Sequence, residues 1–343
     1  MKKKLQISDI AKQLNVSITT VSFILNGKAK EKRISDDLTA RVLKLVEEVG
    51  YRPNQLAQSL RTGKTKTIGL MVEDISNPFF ANIARLIEER AHKEGYKIVY
   101  CSTEDDTERT KELISMFRDM HVDGYIITPP EGVEEDIKKL IADGFPVVLA
   151  DRQVAGVDAH CVIVDNLLGA YNATTHLIER GYQRIAFITI DSKQSQMVQR
   201  LEGYTKALEE NDLEAVVLEV PYRYDAKQMI QSITSFLEER KNIDAVLFAT
   251  NYVAVRGLEE ISQISPADAP AKLGLVSYDD HDVFKFFKPT VTAVAQPTEA
   301  IANHVINLML NLLGQKNSTL KAETIILPTS LVVRNSSLHK TKV

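Results

Sequence analysis

Ser8-Asp9-Ile10-Ala11-Lys12-Gln13-Leu14-Asn15-Val16-Ser17-Ile18-Thr19-Thr20-Val21-Ser22-Phe23-Ile24-Leu25-Asn26-Gly27 reads as two short amphipathic helices one tight turn apart. Ser8 and Ser17 are placed to cap them, each accepting from an unsatisfied first-turn amide. The first helix carries Ile10, Ala11 and Leu14, and the second carries Val21, Ile24 and Leu25. Small polar residues line the outer face of the second helix, as suits a rod that enters the major groove of DNA. The stretch therefore predicts a helix-turn-helix.

Outward from it, a third helix is expected near Ser35. Asp36 and Asp37 stand where the positive end of the helix dipole favours carboxylates, and Leu38, Val42, Leu45, Val46 and Val49 follow at helical spacing. Gly50 ends it. After Tyr51-Arg52-Pro53, Asn54 can cap a helix of barely two turns through Leu60, and the basic, Thr-rich run Arg61 to Thr67 forms a linker. From Ile68 the pattern changes to short apolar runs alternating with helical stretches, the mark of a parallel sheet with crossover helices. Nine strands are expected between Thr67 and Val276, with helices such as Phe80–Glu94, Leu168–Arg180 and Arg200–Asn211 between them. So many units exceed one sheet, which predicts an α/β core of two doubly wound subdomains with a ligand cleft between them.

Charge divides the chain the same way. Residues 1–66 hold 14 Lys+Arg against 6 Asp+Glu, a balance of +8, whereas the remainder holds 28 against 40, a balance of −12. A compact basic segment is the footprint of phosphate binding, and an acidic remainder is repelled by the same polyanion. No apolar run approaches the roughly 20 residues of a membrane span. Ser8, Asp9, Lys12 and Gln13 interrupt what would be an export signal, so a cytoplasmic location is expected. Cys101 and Cys161 have no metal-ligand spacing and read as small core residues.

Over its whole length the sequence resembles the LacI/GalR family of bacterial regulators. The likeness rests on Thr20-Val21-Ser22 with Leu25-Asn26-Gly27, on Gly50-Tyr51-Arg52-Pro53-Asn54 and on Leu60-Arg61. It continues through Asp74-Ile75-Ser76-Asn77-Pro78-Phe79-Phe80, Val122-Asp123-Gly124, Asp279-Asp280 and Val294-Ala295-Gln296-Pro297. The resemblance implies a transcriptional regulator, most often a repressor, that binds a palindromic double-stranded operator as a homodimer or tetramer and answers to a small-molecule effector. Residues 335–343 carry no leucine heptads, which favours the dimer. The implied organisation is an all-α headpiece over 1–53, a hinge helix and linker over 54–66, and a periplasmic-binding-protein-like core over 67–343. Within the core the chain is expected to cross between subdomains near Val164, Ala293 and Leu327. The N-subdomain then takes about 67–164 and 295–327, and the C-subdomain about 165–293 and 328–343.

Carried over residue by residue, the DNA-contacting positions are Ser17, Ile18, Thr19, Thr20, Ser22, Phe23, Asn26, Tyr51, Asn54 and Leu60. Leu60 stands where the family inserts a leucine into the minor groove, the alternative being simple packing on Leu56. Phe23 departs from the polar residue usual at its place, since a phenyl ring only packs or touches a thymine methyl. The loop Lys28-Ala29-Lys30-Glu31-Lys32-Arg33 is about three residues longer than the family's connection, and is read either as extra phosphate contacts or as a solvated charge run.

The implied effector positions are Phe79, Phe80, Asp151, Arg200 at a helix start, Asn251, Asp279 and Gln296. Carboxylates and amides suit vicinal hydroxyls, an arginine fork suits paired oxygens, and an aromatic ring covers the apolar face of a sugar or base. The same residues have structural alternatives: Phe79 or Phe80 as core, Arg200 paired with Asp279, and Asp151 bridged to Arg152. Tyr252 follows Asn251 where the family often has Asp, which allows stacking. No nucleophile–base pair, phosphate-cradling glycine loop or metal-ligand cluster is evident, and His281 beside Asp280 is a lone titratable pair. Neither an enzyme nor a cofactor is expected. Two further readings are weighed. An exported sugar receptor would lack the basic headpiece, and a regulator controlled by a protein partner would have little use for Arg200.

Overall fold

The computed structural model describes residues 6–51, 63–222, 225–264, 273–314 and 321–338. The chain divides into two compact units, Met1–Thr65 and Lys66–Val343. Helices α1 (Ile7–Gln13), α2 (Ile18–Leu25) and α3 (Asp36–Glu48) make the first. Ile10, Ala11, Val21, Ile24, Val42 and Leu45 form its core. Asn15 adopts a left-handed φ of +53° in the turn between α1 and α2, a conformation asparagine tolerates better than most residues. Val16 N–H then returns to the Ala11 carbonyl at 3.0 Å, closing the end of α1.

Of the expected serine caps at Ser8 and Ser17, the second holds, and Ser35 caps the third helix as well. Ser17 Oγ accepts from Thr20 N–H at 3.0 Å, and Ser35 Oγ accepts from Leu38 N–H at 3.3 Å. Ser8 is not a cap: the cap residue is Gln6, two residues earlier, and the Asp9 carboxylate accepts from Gln6 N–H at 2.8 Å. A carboxylate in the first turn satisfies the cap residue's own amide, as in a capping box, and also gains from the dipole.

The second unit begins with β1 (Thr67–Val72), α4 (Pro78–Lys93), β2 (Lys97–Ser102), α5 (Thr107–Asp119), β3 (Gly124–Ile127), α6 (Glu134–Ala142), β4 (Val147–Ala150) and β5 (His160–Val164). It continues with α7 (Asn166–Glu179), β6 (Ile185–Asp191), α8 (Ser195–Glu209), β7 (Val216–Pro221), α9 (Ala226–Glu239), β8 (Ala245–Phe248), α10 (Asn251–Ile264) and β9 (Gly274–Tyr278). Last come β10 (Thr292–Ala295), α11 (Thr298–Gly314), β11 (Thr324–Leu327) and β12 (Ser330–Val332).

Two six-stranded sheets result, ordered β11-β5-β4-β3-β1-β2 and β12-β10-β9-β8-β6-β7. All pairings are parallel except β10 with β12. Near-continuous apolar runs such as Ile185–Ile190 and Ala245–Phe248 are buried on both faces, as helix-covered parallel strands must be. The chain passes between the sheets after Val164, after Ala295 and between Leu327 and Ser330. The middle passage lies two residues beyond the expected Ala293.

Helix α8 begins at Ser195, so Arg200 sits in its second turn and not at its start. The first turn is Ser195-Gln196-Met197-Val198, in which Gln196 is buried with Met197 while Val198 is exposed, so apolar spacing does not reveal it. At Gly203, α8 and α7 touch backbone to backbone. A Cβ there would lie inside van der Waals contact of the Leu167 carbonyl oxygen and 2.9 Å from Tyr171 N.

Helix propensity alone would favour alanine at Gly203 by about 1 kcal/mol, but overpacking against backbone costs about 1–3 kcal/mol and prevails. Gly203→Ala is therefore expected to lower unfolding stability by about 1–2 kcal/mol in a urea titration. Gly314→Ala, where a Cβ meets nothing within 4 Å, is the control that should lose none.

Candidate functional site

On the first unit the outer face of α2 presents Ile18, Thr19 and Asn26 to solvent, with Ser22 and Phe23 half-buried. The Ser17 and Thr20 hydroxyls are joined at 2.8 Å within the cap. Asn26 Nδ2 donates to the Ser22 carbonyl at 2.6 Å, which fixes that amide on the helix surface. The lengthened loop returns to α2: Lys32 Nζ lies 5.4 Å from the Phe23 ring centroid and 3.1 Å from Glu31. Tyr51 packs half-buried against the headpiece core, and burial pushes its phenol pKa up. Asn54 and Leu60 lie outside the described residues.

In the second unit the polar residues gather where ligands meet open α/β sheets, beyond the carboxyl ends of the strands. Asp151 follows β4 with φ +72°, and Asp279 follows β9 with φ +65°. Left-handed backbone at a non-glycine residue is uncommon, and here it occurs at matched positions in the two sheets.

Arg152 is the hub on the first sheet. Its Nε donates to Asp151 at 3.2 Å, Nη1 to Asp105 at 2.8 Å, and Nη2 to Glu73. Burial lowers its pKa to about 10. Arg200 is the hub on the second sheet. It donates to Asn166 Oδ1 at 2.9 Å and to the Ala249 carbonyl at 2.7 Å, and lies 3.7 Å from Asp279 Oδ2. Its guanidinium sits 3.7 Å from the Tyr278 ring centroid, a cation over a π face. Gln296 Nε2 donates to Asp279 Oδ1 at 2.5 Å. Burial pushes the Asp151 carboxyl up to about 7; Arg200 opposes the rise, and Asp279 and Asp105 add to it.

Contacts also run from one sheet to the other. Asn251 Nδ2, at the start of α10, donates to Asn77 Oδ1 at 3.2 Å, and Gln194 Nε2 donates to Asp105. An open cleft of about 1080 Å³ lies between them, with Glu73, Asp74, Asn77 and Glu104 on one wall and Tyr222, Asn251 and Tyr252 on the other. Its size is at the upper end for small-molecule sites. The Tyr222 and Tyr252 rings meet edge to face with centroids 6.5 Å apart.

Of the seven expected effector residues, Arg200, Asp279 and Gln296 are in direct contact, and Asp151 is coupled to them electrostatically. Only Asn251 lines the open cleft. Phe80 is a core residue on the buried face of α4, and Phe79 packs on it with ring centroids 5.0 Å apart. Both structural pairings weighed for the acidic residues, Arg200 with Asp279 and Asp151 with Arg152, are present. Glu73, Asp105 and Gln194 escaped the sequence reading; their only signal is their place just beyond a strand end.

His281 and Asp280 do not act together. The histidine Nδ1 caps Val283 N–H at 3.0 Å, and Asp280 accepts from both Arg334 nitrogens at 2.8 and 2.7 Å. Cys161 is buried and its thiol is pushed up to about 12, while Cys101 is half-buried. Among the described residues no group of His, Cys, Asp and Glu is arranged to hold a metal ion, and no helix is long and apolar enough to cross a membrane.

Comparison with known proteins accounts for both units. Residues 6–54 match the profile of bacterial regulatory proteins of the lacI family, and residues 65–337 match that of periplasmic binding proteins and the sugar-binding domain of the LacI family. The transcriptional regulator RegA of Clostridium saccharobutylicum is 31% identical over 339 residues, 97% of this chain and 99% of that protein. The Lac repressor dimer bound to operator and the anti-inducer ONPF shares the fold, with a TM-score of 0.84 over 98% of this chain and 100% of that one at 23% identity. The CelR–cellobiose complex, also a transcriptional regulator, aligns with a TM-score of 0.68 and 25% identity over 97% and 99% of the two chains. With both units matched in order and nearly the whole sequence covered, the chain belongs to the LacI family of DNA-binding bacterial transcriptional regulators.

Proposed function

We propose that the chain is a cytoplasmic repressor that binds a palindromic operator as a homodimer, and that a sugar or sugar derivative held between the two sheets sets its operator affinity. One observation carries the effector reading. Two buried arginine hubs, with Asp151, Asp279 and Gln296, stand beyond the carboxyl ends of the two sheets, and Glu73 from the first sheet and Asn251 from the second line a roomy cleft between them. Carboxylates and amides at such a place recognise vicinal hydroxyls, and the Tyr222–Tyr252 pair offers an apolar face for a sugar ring. Cellobiose in the CelR complex supports the same class of ligand. The operator reading rests on α2 and on the confinement of the basic charge to the first 66 residues. Ser17, Ile18, Thr19, Thr20, Ser22, Phe23 and Asn26 on α2 and its caps, with Tyr51, are the proposed contacts. A helix-turn-helix reads one half-site per protomer, which makes a two-fold operator and a homodimer the consistent pair.

Raising salt from about 50 to 200 mM is expected to weaken operator binding by roughly 10³ to 10⁵, for about six to ten phosphate contacts. A flat mobility-shift titration over that range would remove DNA binding.

Arg200→Gln and Asp279→Asn are each expected to weaken the tightest sugar found in a thermal-shift panel by more than about tenfold. Operator affinity without sugar should stay within about twofold, because effector and operator affinities are linked only through their coupling free energy. Calorimetry and mobility shift on the same preparations decide it; unchanged sugar affinity in both variants would mean the pocket is elsewhere.

Asp151 supplies a pH test whose sign is fixed. Its folded pKa of about 7 lies above the roughly 3.9 of an unfolded aspartate, so its contribution is fully present below the unfolded value and is lost as pH rises through 7. Between about pH 5 and 8 the unliganded wild type should therefore lose more stability than Asp151→Asn, as followed by urea midpoints. A pH-independent difference between the two would place Asp151 in a solvated setting.

A further inference from the structure

Two oddities of the sequence, the aromatic Phe23 on α2 and the cation-rich loop over residues 28–33, stand together in the first unit. The loop is a closed turn and not a loose charge run. Lys32 N–H donates to the Lys28 carbonyl at 2.9 Å, Arg33 N–H to the Lys30 carbonyl at 3.1 Å, and Ile34 N–H to the Ala29 carbonyl at 2.8 Å. Ala29 and Ile34 pack on the core of the unit, and Lys28 N–H donates to the Phe23 carbonyl at 2.9 Å, which fixes the loop to the end of α2. Arg33 holds a left-handed φ of +53°. Such backbone is uncommon in a residue with a long side chain, persists only where the surroundings impose it, and clusters at functional positions.

The turn carries Lys28, Lys30, Lys32 and Arg33 against the single carboxylate of Glu31, and all five side chains are exposed. Among the described residues Lys32 is the one cation of the four in an ion pair, with Glu31. Ala29 and Ile34 do the packing, so the cations add mutual repulsion to a fixed turn, a cost that a polyanion alongside reverses. The position of the turn says where that polyanion lies. Phe23 stands four residues after Thr19 and three before Asn26, so the three share one strip of α2. Lys32 Nζ is 5.4 Å from its ring centroid, within the roughly 6 Å over which a ring face holds a cation. The ring thereby brings an ammonium to the border of the face that enters DNA. A recognition helix reads base edges with its N-terminal residues, which leaves its C-terminal end, and the turn fixed to it, toward the backbone at the border of the groove.

Resting on the reading of α2 as the helix that enters the groove, we propose that the turn over residues 28–33 is a phosphate clamp on the DNA backbone beside each half-site, with Phe23 as the positioning residue that seats Lys32. The two oddities are then one device. A phenyl ring has no hydrogen bond to offer a base edge, but it offers a flat seat to the ammonium that the turn carries back across α2. The clamp supplies affinity without sequence information, since phosphate contacts place a protein on a duplex and do not specify its bases.

The experiment measures binding of the full chain, by fluorescence anisotropy between about 50 and 200 mM salt, to two duplexes of equal length: an operator selected in vitro from random sequence, and one of arbitrary sequence. The variants are Lys28→Gln/Lys30→Gln/Arg33→Gln together, Lys32→Gln, Phe23→Leu, and the last two combined. Each lost phosphate contact flattens the logarithmic salt slope by about 0.9, so the triple variant is expected to be shallower by about 2.5–3, and the wild type to lose roughly 40-fold more affinity than it does over that range. At any one salt concentration the loss should agree within about twofold on the two duplexes. Lys32→Gln and Phe23→Leu are each expected to flatten the slope by about one contact, and their combination by no more than either, because the ring acts through the ammonium. A triple variant that keeps the wild-type slope overturns the clamp, whether or not its melting temperature has moved. A Phe23→Leu variant that keeps the slope and loses affinity for the selected operator alone makes Phe23 a base contact and overturns its role as a seat. A wild type whose binding to both duplexes is flat with salt removes the DNA-binding reading, and the inference with it.

Discussion

The buried guanidinium of Arg152 is the contact on which the site's architecture depends. Its three nitrogens reach carboxylates that follow three different strands: Glu73 after β1, Asp105 after β2 and Asp151 after β4. A planar fork with fixed donor directions can hold three such groups at once, and an ammonium could not hold them in that geometry. Through Asp105 the same cluster reaches Gln194 on the second sheet. Burying the guanidinium is costly, as its lowered pKa indicates, and only the surrounding carboxylates make it tolerable. Loss of any one partner would leave the others mismatched. The strand ends of the first sheet and the inner wall of the cleft are thus held by one shared charge balance.

Arg200 does the equivalent work on the second sheet by other means. It is fixed by one side-chain amide, one backbone carbonyl and the face of Tyr278, and only loosely by Asp279 at 3.7 Å. Neutral partners leave more of its charge uncancelled than the three carboxylates leave of Arg152. The two sheets therefore present different electrostatic characters to a ligand, a saturated cation on one side and a partly available one on the other.

The fold was legible because its signals are local. The cap at Ser17, the helical spacing from Leu38 to Val49, and apolar runs such as Val147–Ala150 depend on neighbours within a few residues. The nine expected strands end within two residues of their expected places, whereas β10, β11 and β12, beyond Val276, are not among them. The misplaced starts have local causes as well: at α1 a first-turn carboxylate bonds the cap residue's amide in place of the expected serine cap, and at α8 the first turn buries Gln196 and exposes Val198, against the apolar pattern. The site was legible only in part. Asp151, Arg200, Asn251, Asp279 and Gln296 came from family resemblance, whereas Glu73 and Asp105 join Arg152 across 79 and 47 residues of chain. No periodicity or spacing reports a partner that distant. Phe80 shows the converse, since a motif marks its position without saying which way its ring is buried.

The three passages between the sheets leave from one side. β5 and β11 are adjacent at one end of the first sheet, and β10 and β12 are adjacent at the corresponding end of the second. Two rigid plates joined by one strand could swing and twist about every axis. Three tethers side by side along one edge suppress twisting and sliding, and leave a single soft coordinate, the angle at which the plates open. Gln296 lies just past one tether and bonds Asp279 on the opposite wall, so its amide samples that coordinate directly. Any ligand that alters the Asp279–Gln296 contact acts on one angle, and whatever the core transmits must be encoded in that angle.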